Sequence, residues 1–288
     1  MAGSGSESIG PTAHYTGYVW ARNGLSHPRL QTREGRVLYE SLRPVMTLSG
    51  PLTGVSLERY LLARHRAIDT ALEGAIDSGA VSQVIEVACG LSPRGWRFAN
   101  LYGSRLTYIE TDLPGMIARK REALAQIGSL SDTHRVQELD ALREDGPTSL
   151  AALADALELD RGVGIITEGL LGYLDHASLI GIWERFAGVL QRFPDGRYFS
   201  DLHLGEQQTI YVRAFRTALS AFVKGRVHLH FESAAQAEDQ LRASGFTGAA
   251  VHSAAELLSG AEDSGDGGAR RGGGELVHII EASTVRSQ

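Results

Sequence analysis

Chemistry in this sequence concentrates where short apolar runs end in glycines and acids. From Val84 to Pro114 the chain reads VIEVACGLSPRGWRFANLYGSRLTYIETDLP. An apolar run breaks at Gly90, a helix-like stretch follows, and a second run ends at Glu110 and Asp112. These acids lie 20 and 22 residues beyond Gly90, where the ribose-binding acid of a nucleotide-holding crossover belongs. Two phosphate cradles fail on the same residues. A dinucleotide loop needs a middle glycine, but only Leu91, Ser92, Pro93 and Arg94 separate Gly90 from Gly95. A P-loop needs Lys followed by Ser or Thr, and here Trp96 and Arg97 stand in those places. A ribose acid without a phosphate cradle suits a nucleoside without phosphates, which in an α/β sheet points to S-adenosylmethionine. The plainer reading keeps Gly90 as a turn in a flavodoxin-like sheet with incidental surface acids.

Other positions extend that site. Asp140 follows the third apolar run in RVQELDALR, where a carboxylate can bond an adenine amino group; it can equally be a helix cap. Leu139 beside it and Glu86 in the first run join the expected cofactor contacts. The fourth run ends IITEGLLGYLD, which places Glu168 and Gly169 at the carboxyl end of a strand, facing the crevice of an open sheet. Arg64 falls inside the apolar stripe of Leu57, Leu61, Ile68, Leu72 and Ala75. A buried guanidinium must be paired. A ligand carboxylate and an internal salt bridge are both open partners. His203, after the fifth run in YFSDLHLGEQQ, is a candidate base that Asp201 could orient. Tyr15 is a second catalytic candidate, and His14 and Tyr18 beside it are candidate acceptor contacts. His228 and His230 alternate in VHLHF and are assigned no metal.

Five apolar runs (84–88, 106–110, 136–139, 164–168 and 198–202) alternate with helical stretches at 57–77, 113–126, 148–159 and 177–192. That alternation predicts a doubly wound parallel sheet. GFTGAAVH and GELVHIIEA then read as two strands with no helix between them, closing as an antiparallel pair across a loop at 259–274. The organisation expected is a disordered tail at 1–10, a lid or helical cap over 11–80, irregular up to about residue 51, and a core over 81–288. A helical insertion is expected at about 204–244. A formal net charge of −6 argues against a nucleic-acid partner. No apolar run reaches the ~18–20 residues of a membrane span. The lone Cys89 excludes an internal disulfide and a Cys-based zinc site. A cytoplasmic protein with a small-molecule partner is expected, with oligomers possible.

ARHRAID, IEVACGLSPRGWRF, YIETDLPGMIARKREAL and TEGLLGYLD together resemble the leucine carboxyl methyltransferase family, in particular its bacterial polyketide O-methyltransferase branch of the tetracenomycin type. The resemblance runs from about His14 to the final strand. It implies a class I methyltransferase fold, Rossmann-like, with seven strands, the last antiparallel, and an N-terminal helical cap. It also implies cofactor contacts at Arg64, Gly90, Glu110, Asp112, Glu168 and Gly169, with Asp140 at the adenine position. The activity expected is S-adenosylmethionine-dependent O-methylation of a hydroxyl or carboxylate on a small, polyketide-like natural product. A protein C-terminal carboxyl methyltransferase and a noncatalytic binding module remain alternatives, and the missing glycine disfavours NAD.

Overall fold

The computed structural model describes residues 5–53, 57–205, 228–260 and 274–284. Three helices precede the sheet: α1 (Gly5–Arg22), α2 (Arg33–Thr53) and α3 (Leu57–Asp77). Then come β1 (Gln83–Val87), α4 (Arg94–Tyr102), β2 (Thr107–Asp112), α5 (Pro114–Ile127), β3 (His134–Glu138), α6 (Leu150–Ala154) and β4 (Val163–Thr167). The chain continues through α7 (His176–Leu190), β5 (Gly196–Leu202), α8 (Ala234–Ala243), β6 (Gly248–Ser253), α9 (Ala254–Gly260) and β7 (His278–Ser283).

The strands form one seven-stranded sheet in the order β3-β2-β1-β4-β5-β7-β6. β1 to β5 pair in parallel, and β7 lies antiparallel to both β5 and β6. This is the class I methyltransferase arrangement, with the last strand reversed. Every residue of β1 and β4 is buried, as expected where helices cover both faces of a parallel sheet. Alternate residues feed opposite layers. Ile85, Ile165 and Tyr198 pack with Trp183, Phe186 and Phe246 on one side. Val84, Ile166 and Phe199 pack with Ile68, Leu72 and Phe98 on the other.

The fold departs from the sequence reading in four places. The segment expected to be irregular up to residue 51 is helical, and α1 already begins at Gly5, inside the expected tail. Polar and glycine-rich composition hid these helices because their stability comes from packing rather than from propensity. Tyr39 of α2 lies under Tyr15 and Tyr18 of α1, with ring centroids 5.8 and 5.2 Å apart, and its hydroxyl donates to Glu58 of α3 at 2.9 Å. α6 is only five residues long, capped by Ser149, so the helix expected at 148–159 is much shorter. A short helix, α9, does stand between the two closing strands. Of the expected insertion and loop, residues 206–227 and 261–273 lie outside the described residues. No helix among the described residues is long and apolar enough to cross a membrane.

Gly35 sets the approach of α1 to α2, because a Cβ there would overlap the His14 carbonyl oxygen. Gly35→Ala is therefore expected to cost about 1–3 kcal/mol, the usual range for overpacking. Faster amide exchange in α1 than in the β1 and β4 amides would report it; unchanged protection of α1 would refute the close-packing role.

Candidate functional site

Backbone conformation makes the first wall of the site. β1 ends in a sharp turn in which Ala88 and Gly90 both have positive φ, 54° and 52°. Such a conformation is routine for Gly and strained for Ala. The turn is stitched to the neighbouring strands. The Gly90 amide donates to Asp112 Oδ2 at 2.8 Å and the Leu113 amide to Asp112 Oδ1 at 2.7 Å. Cys89 N donates to the Thr111 carbonyl at 2.9 Å, and Leu139 N to the Asp112 carbonyl at 3.0 Å. The ends of β1, β2 and β3 thus meet at Asp112. Burial lifts the Asp112 carboxyl above its ordinary value, against the opposing pull of the Gly90 and Leu113 amides and of Lys120. A carboxylate has about four lone-pair sites. The two amides leave capacity for a vicinal diol, so the donor set fits a ribose. Asp140, half-buried beside this corner, caps its own turn by accepting from Leu142 N at 3.1 Å. Leu139 is a buried core residue.

The second wall is a buried charge cluster that sequence reading missed. Arg94 opens α4 four residues after Gly90 and has no solvent exposure. Its guanidinium reaches Asp69 of α3 at 2.5 Å, Glu86 of β1 at 2.7 Å and Glu168 after β4 at 2.7 Å. Arg64 contacts Glu168 at 3.0 Å and Asp201 at 3.4 Å, and Arg97 also pairs with Asp69. His65 lies 2.8 Å from Glu168 and 3.7 Å from Asp69. Three guanidinium groups therefore face four carboxylates. Burial alone would raise the Glu168 and Asp69 carboxyls. Instead His65, Arg64 and Arg94 hold Glu168 well below the usual carboxylate range, and His65, Arg94 and Arg97 hold Asp69 below it.

Several of the residues expected to contact a cofactor already have partners within the protein. Glu86 is 1% exposed, with its carboxylate taken by Arg94 and by the Tyr108 hydroxyl at 2.8 Å. Glu110 is fully buried against Lys120 and against His134 at 2.7 Å, so Asp112 alone is left as the crevice acid of that pair. Glu168 is an internal clasp for Arg64, His65 and Arg94. Gly169, at φ 69°, donates its amide to Asp201 Oδ1 at 2.6 Å, and a Cβ there would press on the Arg64 guanidinium. Arg64 pairs internally with Glu168 and Asp201, and its guanidinium also lies beside Gly169. Asp201 serves Gly169 and Arg64, and it is Tyr60 whose hydroxyl meets His203 Nε2.

The N-terminal candidates divide. Tyr15 is 3% exposed in the aromatic stack on Tyr39, where burial pushes its phenol far above the usual range. Tyr18 packs on the same ring. His14 bonds Thr32 at 2.9 Å and approaches Arg119 at 3.4 Å. What α1 brings to the Gly90 turn is its small residues: Ala13 lies against Gly90, and Gly17 against Leu91. Cys89 is buried, and burial raises its thiol well above the usual range. A separate cavity of about 440 Å³, lined by Ser253, Glu256, Glu275 and His278, shares no residue with this crevice.

The missed residues left faint signals. Arg94 is a charge inside a buried crossover, and Asp69 stands five residues after Arg64 on the same helix. Each became readable only once its partners, 8 to 74 residues away in sequence, were placed.

Comparisons with known proteins agree with this geometry. The sequence model described as leucine carboxyl methyltransferase matches residues 45–186. A protein of Mycolicibacterium gilvum described as "Putative S-adenosyl-L-methionine-dependent methyltransferase" is 36% identical over 133 residues, covering 45% of this chain and 41% of that protein. One of Streptomyces coelicolor with the same description is 31% identical over 153 residues, covering 47% of this chain and 52% of its own. The chain thus spans about half the length of the curated relatives it matches or less. A crystal structure titled as a "putative methyltransferase" from Thermobifida fusca YX superposes with a TM-score of 0.64 at 12% identity, over 96% of this chain and 94% of that one. A protein of the duf574 family from Streptomyces avermitilis gives 0.62 at 15% identity, over 96% and 97%. At these identities the structures attest the fold.

Two stability predictions follow from the cluster. Arg94→Met leaves Glu86 without its cation and takes one cation each from Asp69 and Glu168, and is expected to cost about 3–5 kcal/mol in urea unfolding; a loss under about 1 kcal/mol would show that the cluster does not depend on it. The folded pKa values of Asp69 and Glu168 lie below their unfolded values of roughly 4. Their contribution is therefore complete above that range and is lost as pH falls through the folded values. The urea midpoint should drop steadily on acidification below about pH 4, and a flat midpoint there would contradict the depressed carboxyls.

Proposed function

Because residues 45–186 match the leucine carboxyl methyltransferase family, we propose that the crevice at Asp112 binds S-adenosylmethionine and that the protein methylates an oxygen of a small-molecule acceptor. The observation that carries this reading is Asp112, which the Gly90 and Leu113 amides fix at the corner of three strand ends. Asp112 would accept the ribose diol, and Gly90 lets the backbone come close. Asp140 would take the adenine amino group. Arg64, turned to the Gly169 corner, would meet the carboxylate of the methionine moiety.

The cofactor, when bound, supplies an activated methyl on a sulfonium, so the protein's share is alignment and exclusion of water. α1 closes the Gly90 side. His203, following β5, would contact the acceptor oxygen. A hydroxyl and a carboxylate make different demands. A phenol with a pKa near ~10 must be deprotonated, whereas a carboxylate near ~4 is already ionised at neutral pH. The family's description names a carboxyl acceptor, which keeps protein C-terminal carboxyl methylation as the second reading.

Isothermal titration with S-adenosylhomocysteine, with NAD as control, tests the cofactor. One site for the former and no heat with the latter are expected. Asp112→Asn should weaken binding by roughly 10- to 100-fold, the scale of losing charge-assisted hydrogen bonds of about 1.5–3 kcal/mol. Unchanged affinity would remove Asp112 from the ribose site, and no binding to the unaltered protein would overturn the function.

A further inference from the structure

We infer that Glu238 and Arg242 of α8 form a clasp that keeps β6 from pairing edge to edge with a second copy of this chain. The inference concerns the rim of the sheet and stands whatever the crevice binds. β6 is last in the order of the sheet and pairs with β7 alone among the described strands. The outer row of amides and carbonyls on such a strand is a template for another chain. Edge strands are commonly protected by Lys, another charge or Pro within the strand itself. β6 reads GAAVHS and holds no Lys, Arg, Asp, Glu or Pro.

Which groups form the outer row follows from the ladder. Residues of an antiparallel pair alternate between exchanging hydrogen bonds with the partner strand and pointing them away. Ala254 N donates to the Val277 carbonyl at 3.0 Å, in line with the register that sets Ser253 opposite His278. Ala250 and His252 therefore bond β7, while Ala249, Val251 and Ser253 turn outward. Side chains of the flanking helices meet that row. Arg242 donates to the Ala249 carbonyl at 2.9 Å, and the Val251 amide donates to Glu238 Oε1 at 3.0 Å. The Ser253 amide donates to Glu256 Oε2 at 2.9 Å, and the Glu256 amide donates back to Ser253 Oγ at 3.2 Å, a capping box that starts α9.

Glu238 and Arg242 stand one helical turn apart and pair with each other at 3.3 Å. Both are partly exposed, and a surface pair of this kind adds little to stability by itself. Its geometry is fitted to the strand instead, with a carboxylate on an amide and a guanidinium on a carbonyl. The opposite rim is treated alike. At β3 the His134 amide donates to Ser131 Oγ at 3.0 Å, and Arg121 of α5 donates to the Val136 carbonyl at 3.0 Å. β3 also carries Arg135 and Glu138 of its own, whereas at β6 the charges come from the neighbouring helix. A second copy is the occupant that the bare strand would fit. Two such rows related by a two-fold axis are self-complementary, each amide meeting a carbonyl.

Sedimentation velocity over a concentration series tests the clasp. Glu238→Ala combined with Arg242→Ala removes both side chains and leaves a good helix former at each position of α8. With rising concentration the double variant should shift to a larger assembly than the unaltered protein forms. Adding Val251→Pro should abolish that shift, because it deletes an outward N–H without touching the bonds to β7. If the Pro variant does not fold, amide exchange locates the joint. The Val251 amide should then exchange faster in the dilute double variant than in the unaltered protein, and slow as concentration rises. A double variant whose mass matches the unaltered protein at every concentration overturns the inference. So does a larger assembly that survives Val251→Pro, or one that leaves Val251 exchange independent of concentration.

Discussion

A guanidinium with no exposure to water is tolerable only where carboxylates surround it, and Arg94 meets that condition with one acid from each of three elements. Asp69 comes from α3, Glu86 from β1 and Glu168 from the end of β4. The same side chain sits at the start of α4, directly after the Gly90 turn. It therefore ties the cap helix, the central strand and the two turns that line the crevice into one electrostatic unit. Arg64 continues the unit toward β5 through Glu168 and Asp201. The spacing between the Gly90 corner and the Gly169 corner follows from how these charges pair.

A second constraint operates one strand over. Glu86 and Glu110 are register partners on β1 and β2, so two buried like charges stand side by side. Such a pair is destabilising unless each acid is neutralised. Arg94 serves Glu86, while Lys120 and His134 serve Glu110. Room for the Glu110 carboxyl comes from Gly95, where a Cβ would overlap it. Gly95 thus has a packing reason unconnected with any phosphate, which explains why the Gly90–Gly95 spacing imitates a phosphate loop without being one.

The strands of the sheet were legible because central parallel strands are apolar on both faces and stand out as runs, and α3 was legible from its stripe. The family resemblance implied the helical cap, but its first two helices were not legible from their own composition, since α1 and α2 owe their helicity to Tyr39, Tyr15 and the close contact at Gly35. Within the site, the residues at strand ends were found, but their duties were only half readable. Position along a strand shows which acids reach the crevice end; it does not show which of them meets a cation from another element. Glu110 and Asp112, two residues apart, look equivalent in sequence. Lys120 and His134 take one, and backbone amides hold the other. Arg94 was passed over for the same reason, as its three acids are scattered over the chain.

The contact between Ala13 and Gly90 bears on the timing of ligand exchange. α1 lies against the Gly90 turn and is itself held by aromatic packing on α2. A nucleoside held at Asp112, as proposed, would exchange past that helix, so its residence time would follow the frequency with which α1 moves aside. The pace of such exchange would be set by tyrosine packing some distance from the atoms proposed to touch the ligand.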